Sequence, residues 1–291
     1  MKEHSSTLPK ANAAGRWAGL AGPLAAFLSA FLFSFGGLVM KGIPWQPLTI
    51  NGVRNAVALV ITLTYLRATR HRLVFNRSVL LGAASMMLTT VLFCAANKMT
   101  TAANAILLQF TSPVFLILIL WIFRGQRPKK RDAVMCLCVF AGILCFFVGG
   151  LTGGHLAGDG LALLSGVFYA VVFLSEDLPG GDAASAFFWG EVLSAAVGLP
   201  FLLGETVFTF PALGGALGLG FIIGVGYILL SLSLKTTPPV TATLMSAVEP
   251  VLNPTWVALL NGETMSPPSF AGFVVVLGSI VVYNLLLARK K

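Results

Sequence analysis

Three ionisable side chains, Arg54, Glu191 and Glu249, lie inside long apolar stretches of the sequence. A charged group at the centre of a membrane helix costs about 2.5 to 3.5 kcal/mol on insertion scales, so each such residue indicates a function or a specific partner. A buried carboxyl group can take up and release a proton, and a guanidinium can bind the carboxylate of a small molecule. These residues are therefore the first candidates for recognition or proton coupling.

Glu249 is the strongest of these candidates. Asn253 and Trp256 follow it at offsets of four and seven residues, which places all three on one predicted helix face. Pro250 and Pro254 remove backbone donors and loosen the helix, so an opened carbonyl group could join the carboxyl in a polar site. Two interpretations stay open, a substrate or proton site and a protonated carboxyl that bonds a neighbouring helix.

Arg54 and Glu191 have less distinctive surroundings. Asn51 and Asn55 share a helix face with Arg54, and this trio could bind a substrate carboxylate. Alternatively, the Arg54 side chain extends to the outer interface or has a structural partner. No opposite charge near Glu191 is evident in the sequence, and we favour an interhelical hydrogen bond or pairing role for it.

The elements that must hold these residues are membrane helices. Of the 291 residues, 57% are apolar and 10% are charged, whereas an average soluble domain has about 25% charged residues. A membrane-spanning helix needs about 20 apolar residues. Ten segments reach or approach this length: 17–40, 48–66, 78–96, 102–123, 133–148, 156–174, 183–203, 212–234, 240–260 and 269–288.

The basic residues predict the orientation of these segments. With the N-terminus in the cytoplasm, sixteen Lys and Arg residues fall in the inner loops and tails, and only Lys41 and Lys98 fall outside. Both termini are therefore predicted to be cytoplasmic. The net charge of +9 is spread over helix ends rather than along a continuous groove, which excludes a nucleic-acid partner.

The sequence contains an internal repeat. It appears when the chain is aligned with itself so that Lys98 lies opposite Lys235 and Pro113 lies opposite Pro250. We call the number of residues in this shift the repeat interval. Between residues 98 and 126, seven of 29 ungapped positions are then identical. Five spans in each copy reverse the direction of insertion. The sequence therefore predicts a cytoplasmic tail, 1–17, and two inverted five-helix repeats, 18–149 and 158–288, with a substrate site near the membrane midplane between them.

Both copies carry motifs that resemble the EamA-type drug/metabolite transporters. The relevant residues are 98–113, ending at Gly125-Gln126, and their partner from Ala247-Val-Glu-Pro250 to Gly262-Glu263. In the family a Gly-Glu pair usually follows the fourth and ninth helices, so Gln126 departs from the pattern. The resemblance implies an all-α membrane protein with a central cavity, the third, fourth, eighth and ninth helices in the middle, and the fifth and tenth at the periphery.

Central helices add further candidates for the cavity wall. They contain Asn104 and Gln109 in the fourth predicted helix, Tyr227 in the eighth and Trp256 in the ninth. Most of the other aromatic residues are interpreted as interfacial belts or packing. The candidate substrate or coupling residues are thus Arg54, Asn55, Asn104, Gln109, Tyr227, Glu249, Asn253 and Trp256.

The expected function is secondary transport of an amino acid or related small metabolite out of the cell, across the inner membrane, by alternating access, with protons as a candidate coupling ion. An uncoupled facilitator of the same fold is the alternative. A membrane-embedded enzyme is disfavoured because His4, His71 and His155 all lie in loops or the tail. No metal or cofactor is predicted, and the oligomeric state is left open.

Overall fold

The computed structural model describes residues 13–127, 155–261 and 267–288, with eight separate positions between 130 and 145. Regular structure in this part of the chain is entirely helical. The α-helices are α1 Ala13–Phe33, α2 Gly36–Lys41, α3 Pro47–Ala68, α4 Arg77–Met99, α5 Ala102–Gln109, α6 Ser112–Arg124, α7 Leu156–Phe173, α8 Ala183–Gly198, α9 Phe210–Leu234, α10 Pro239–Met245, α11 Glu249–Asn261 and α12 Pro267–Ala288. Short 3₁₀ segments, Leu199–Gly204 and Ser246–Val248, follow α8 and α10.

Six helical stretches of the described chain are long and apolar enough to cross a membrane: Ala21–Lys41, Arg77–Met99, Ala102–Arg124, Leu156–Phe173, Ala183–Gly204 and Phe210–Leu234. Two further helices, α3 and α12, have 22 residues each and coincide with the second and tenth predicted segments. Most of the fifth predicted segment, 133–148, lies outside the described residues. The total of ten membrane helices therefore stays a prediction.

Two of the predicted spans are interrupted at equivalent positions. The fourth breaks at Phe110 and Thr111, between α5 and α6, and the ninth breaks at Ser246–Val248, between α10 and α11. Pro113 and Pro250 follow the two breaks and are themselves one repeat interval apart. Proline lacks a backbone N–H and clashes with the preceding turn, so it favours a kink or a break in the helix just before it.

The first predicted segment, 17–40, is also divided. A turn at Ser34 and Phe35 separates α1 from the short helix α2. Ser34 turns its hydroxyl back onto the Phe31 carbonyl oxygen, at 2.6 Å. The sequence has no proline here, and this bend was not predicted.

Helices from the two halves of the chain interleave. Helix α3 packs against α8 and α9, and α4 packs against α7 and α8. Small residues allow the closest approach, as small residues commonly do between membrane helices. A Cβ atom on Gly52 would collide with the backbone of Gly198 and Leu199, so α3 and α8 touch backbone to backbone at this point.

We expect Gly52→Ala to destabilise the fold. The added methyl group has backbone rather than a movable side chain in its way, and overpacking of this kind costs about 1 to 3 kcal/mol. Thermal unfolding of the purified protein in detergent measures the effect. Gly218→Ala on α9 is the matched control, because no atom lies within 4 Å of its added Cβ. Equal melting temperatures for the two variants would contradict the close contact.

The outward face of α9 carries a stripe of large, exposed apolar side chains. Leu213, Leu217 and Phe221 recur every fourth residue and are 42%, 56% and 56% exposed. Soluble monomeric proteins rarely expose such a stripe of large apolar side chains to water. We expect it to contact the hydrocarbon of the bilayer.

Polar contacts join the loops at the end of the bundle that is predicted to be cytoplasmic. The His71 ring nitrogen lies 2.9 Å from the Asp182 carboxylate, and Arg124 binds Asp177 at 2.7 Å. Ser78 donates to the Pro179 carbonyl oxygen at 2.7 Å. These bonds connect the loop after α3, the start of α4 and the end of α6 to the loop that leads into α8.

Asp182 caps α8 and carries a pH-dependent contribution to stability. Its carboxylate accepts a hydrogen bond from the Ser185 backbone N–H at 2.9 Å. Burial raises the pKa of Asp182, but hydrogen bonds from Ser185 and His71 outweigh this effect and hold the pKa below its ordinary value. A carboxyl whose pKa is lowered by folding stabilises the fold above its unfolded pKa, about 3.9, and loses that contribution as the pH falls through the folded value.

We expect Asp182→Asn to flatten the acid limb of the melting temperature against pH, because asparagine keeps the cap but not the charge. Asp182→Ala should cost about 1 kcal/mol at neutral pH, because the cap is lost as well. Thermal unfolding between neutral and acid pH measures both effects. An acid limb in the Asn variant as steep as in the wild type would contradict this role.

Candidate functional site

A cavity with an empty volume of about 440 Å³ lies among helices of both halves of the chain. Four of the predicted candidate residues line it: Arg54, Gln109, Tyr227 and Glu249. They come from α3, α5, α9 and α11. The remaining wall includes Phe33, Thr89, Thr90, Phe93, Tyr169 and Ile223. The predicted central cavity thus has one cationic and one acidic side chain in mainly apolar and aromatic surroundings.

Arg54 is only 2% exposed and has little to bind within the protein. Its Nη2 donates to the Asn51 side-chain oxygen at 3.2 Å and to the Thr90 carbonyl oxygen at 3.3 Å. Its Nε has no hydrogen-bond partner among the described residues, and no ion pair forms with it there. A guanidinium offers five donors. Arg54 therefore does not extend to the outer interface, and it retains donors for an anionic group in the cavity.

The asparagines beside Arg54 position it rather than line the cavity. Asn55 donates to both oxygens of Asn51, the backbone oxygen at 2.7 Å and the side-chain oxygen at 3.1 Å. Asn51 in turn accepts the bond from Arg54. The helix spacing of these residues predicted one shared face, and their mutual contacts confirm it.

Glu249 lies where the second interrupted helix resumes. It is the first residue of α11 and is 6% exposed, and its Oε2 has no hydrogen-bond partner among the described residues. Gln109 ends α5 at the other helix break and donates to the Ser165 hydroxyl at 2.7 Å. Both breaks therefore place a polar side chain at the cavity, as discontinuous helices do in many transporters.

The other predicted candidates contact protein away from the cavity wall. Asn104 donates to Asp159 at 3.2 Å. Asn253 is fully buried beside Gly37, where an added Cβ would lie 2.6 Å from its amide nitrogen. Trp256 stacks on Phe35, with ring centroids 5.3 Å apart. Among the described residues these side chains belong to the packing around the cavity, so a direct role in binding has no support from their positions.

Three polar residues of the cavity wall were missed by sequence reasoning. Tyr169 was interpreted as a belt or packing residue, yet it is 4% exposed and lies in the cavity wall. Thr89 and Thr90 were passed over in the third segment. Thr90 and Tyr227 are one repeat interval apart, so the repeat that supplied the helix equivalence could have identified Thr90. No comparable signal indicates Tyr169.

This arrangement is suited to a small molecule with two opposite charges. A carboxylate can bind the free donors of Arg54, and an ammonium group can bind Glu249 when that residue is ionised. The Glu249 carboxyl can also hold a proton, because a low-dielectric site favours the neutral form. Phe33, Phe93 and Tyr227 supply apolar and aromatic surface for the rest of the ligand.

Comparison with known proteins places the chain among transporters. The model of the EamA-like transporter family matches it twice, over residues 20–148 and 156–285. A curated relative, the uncharacterized inner membrane transporter YedA of Escherichia coli (strain K12), is 29% identical over 259 residues, 83% of this chain and 82% of the relative. YedA of Escherichia coli O157:H7 has the same identity and coverage.

A chain in a solved crystal structure superposes with a TM-score of 0.67 at 17% identity, covering 91% of this chain and 97% of that chain, which bears on the fold alone. The family match covers both halves of the sequence and confirms the resemblance first read from its motifs. The chain therefore belongs to the EamA-like transporter family and contains two copies of its domain.

Proposed function

We propose that this transporter carries a zwitterionic metabolite of amino-acid type out of the cell by alternating access. The observation that carries the proposal is the placement of Arg54 and Glu249 on the wall of one cavity, without an ion pair between them. A buried guanidinium without a counter-ion is costly. A bound carboxylate would supply that counter-ion.

The proposed architecture consists of two inverted five-helix repeats, 18–149 and 158–288, with both termini in the cytoplasm. The twofold family match, the equivalent helix breaks and the charge of the loops support it. Cysteine at position 70 should then resist a membrane-impermeant thiol reagent added to intact cells. The outward direction rests on the family resemblance, and proton coupling rests on Glu249.

A set of matched compounds tests the recognition of two charges. We would measure the melting temperature of the purified protein with each proteinogenic amino acid, and then with the amine and the hydroxy acid derived from each compound that stabilises it. A ligand at 100 times its Kd stabilises the folded state by about 2.7 kcal/mol. We expect the amino acid to stabilise and both derivatives to fail. Equal stabilisation by the amine, which lacks the carboxylate, would overturn the role of Arg54.

A further inference from the structure

Glu191 on α8 is a buried carboxyl group that has no task in the site described above. It is fully buried, and its Oε1 accepts a hydrogen bond from the Thr62 hydroxyl of α3 at 3.0 Å. This is the interhelical bond that the sequence favoured. Its Oε2, however, has no hydrogen-bond partner among the described residues, and no ion pair involves it there. One bond to a neutral hydroxyl leaves half of the carboxyl group unsatisfied.

A second cavity lies next to the hydrogen-bond partner of this carboxyl group, although Glu191 itself is not part of its wall. Thr62, which holds Glu191, is part of its wall, as are Tyr65, Phe187 and Ser231. Thr62 and Tyr65 lie in the last two turns of α3, toward the predicted cytoplasmic end. The second cavity therefore lies in the inner half of the span, and we call it the inner cavity.

Tyr227 separates the two cavities, since it lines both of them. Its ring lies between Phe33 of the central cavity and Phe187 of the inner cavity, with centroid distances of 5.1 and 5.0 Å. The two spaces thus meet at a layer of three aromatic rings. Movement of this layer would join the inner cavity to the central one.

Glu191 occupies the position in the second repeat that Arg54 occupies in the first, because the two residues are one repeat interval apart. The same shift aligns identical residues in their helices: Ala58 with Ala195, Val60 with Val197 and Leu66 with Leu203. In an inverted repeat, two equivalent residues lie at matching depths on opposite sides of the midplane. An exchange of conformations between the repeats would pass the wall position held by Arg54 to Glu191.

We propose that Glu191 is a proton-binding site that opens to the inner half of the pathway when the cavity faces the cytoplasm. The inference rests on the proposed carrier function. The proton binds Oε2, the oxygen without a partner among the described residues, while Thr62 continues to hold Oε1. Release of the proton through the inner cavity leaves a carboxylate where the outer half has a guanidinium. A substrate carboxylate is attracted by Arg54 and repelled by ionised Glu191.

Within the described bundle, Glu191 is the one acidic group near the inner cavity. Tyr65 and Tyr227 are the titratable side chains in the wall of the inner cavity. Arg54 lies eight residues from Thr62 on α3, about 12 Å along the helix axis. The charged or titratable residues on the other packed faces are nearer the helix ends: Arg67 on α3, and Arg77, Cys94 and Lys98 on α4.

Infrared spectroscopy of the full-length protein in lipid vesicles tests the site without a substrate. A protonated carboxyl group has its own C=O stretching band, and Glu191→Gln should remove one such band. Thr62→Val should move the same band to higher frequency, because the hydrogen bond to the carboxyl is lost. This second variant identifies the band even if the Gln variant does not fold. Glu249→Gln should remove a different band. Because the bands need no substrate, the result for Glu191 is independent of the amino-acid stabilisation test of the proposed function.

The expected result is a Glu191 band that shifts within minutes of transfer to D₂O and disappears reversibly as the pH is raised. Such behaviour requires a route from solvent to the carboxyl group in the folded protein. A band that keeps its frequency in D₂O, or that is the same at acid and alkaline pH, would overturn the proposal and leave Glu191 a structural residue. Absence of the band at acid pH would also overturn it.

Discussion

Glu249→Gln is expected to abolish accumulation driven by a pH gradient while leaving some exchange of substrate. Glutamine preserves the shape and most of the hydrogen bonding of glutamate but cannot titrate. One proton per cycle at a gradient of one pH unit supplies about 1.4 kcal/mol, which is about tenfold accumulation. We therefore expect the variant to lose about that factor. Uptake of the best-stabilising amino acid into vesicles, with and without the gradient, measures it.

Glu249→Asp is the control, because it retains a titratable carboxyl group and should retain part of the coupling. Both variants must first show the melting temperature of a folded protein. Accumulation at the wild-type level in Glu249→Gln would reject coupling at this residue. Loss of folded protein in the same variant would favour the structural interpretation, in which the carboxyl bonds a neighbouring helix.

Arg54→Gln is expected to weaken substrate binding by about 2 to 5 kcal/mol, or roughly 30-fold to several thousand-fold, which is the usual effect of removing one partner of a buried charge pair. Arg54→Lys should recover only part of this loss. Lysine keeps the charge, but it lacks the planar fork that binds a carboxylate through two parallel hydrogen bonds. Calorimetric titration with the best-stabilising amino acid measures the three affinities.

Arg124→Gln is the matched control for loss of an arginine. Arg124 pairs with Asp177 in the loops rather than in the cavity, with side chains 30% and 48% exposed. Exposed pairs contribute about 0 to 1 kcal/mol to stability, and this one has no contact with the proposed ligand. Substrate affinity in Arg54→Gln equal to that of Arg124→Gln would contradict the assignment of the carboxylate site.

Sequence patterns predicted the parts of the site that depend on helix depth and on proline. Pro250 predicted local disruption of the ninth span, and Glu249 stands at the break there. The break in the fourth span, where Gln109 stands, was not predicted. Arg54 was identifiable because an isolated cation in an apolar segment is costly. The cavity also contains Tyr227, whose helix was expected to be central from the family resemblance.

The positions of Asn253 and Trp256 could not be derived from the same patterns. They do share a helix face with Glu249. Beyond Glu249, however, this face of α11 packs against α2 instead of lining the cavity. The bend at Ser34 and Phe35 brings α2 there, where Phe35 stacks on Trp256. A periodicity argument gives the face of one helix and not the neighbour that covers it. Tyr169 was missed for the same reason.

Substrate counterflow tests whether the protein is a carrier with alternating access. Vesicles that contain the purified protein are loaded with the best-stabilising amino acid and diluted into a trace of the same compound in radioactive form, without any ion gradient. A carrier takes unlabelled substrate out and returns to the inner face with label, so we expect a transient accumulation of label inside the vesicles that the Arg54→Gln variant lacks. Monotonic equilibration of the label without overshoot would contradict alternating access and indicate a channel-like pathway.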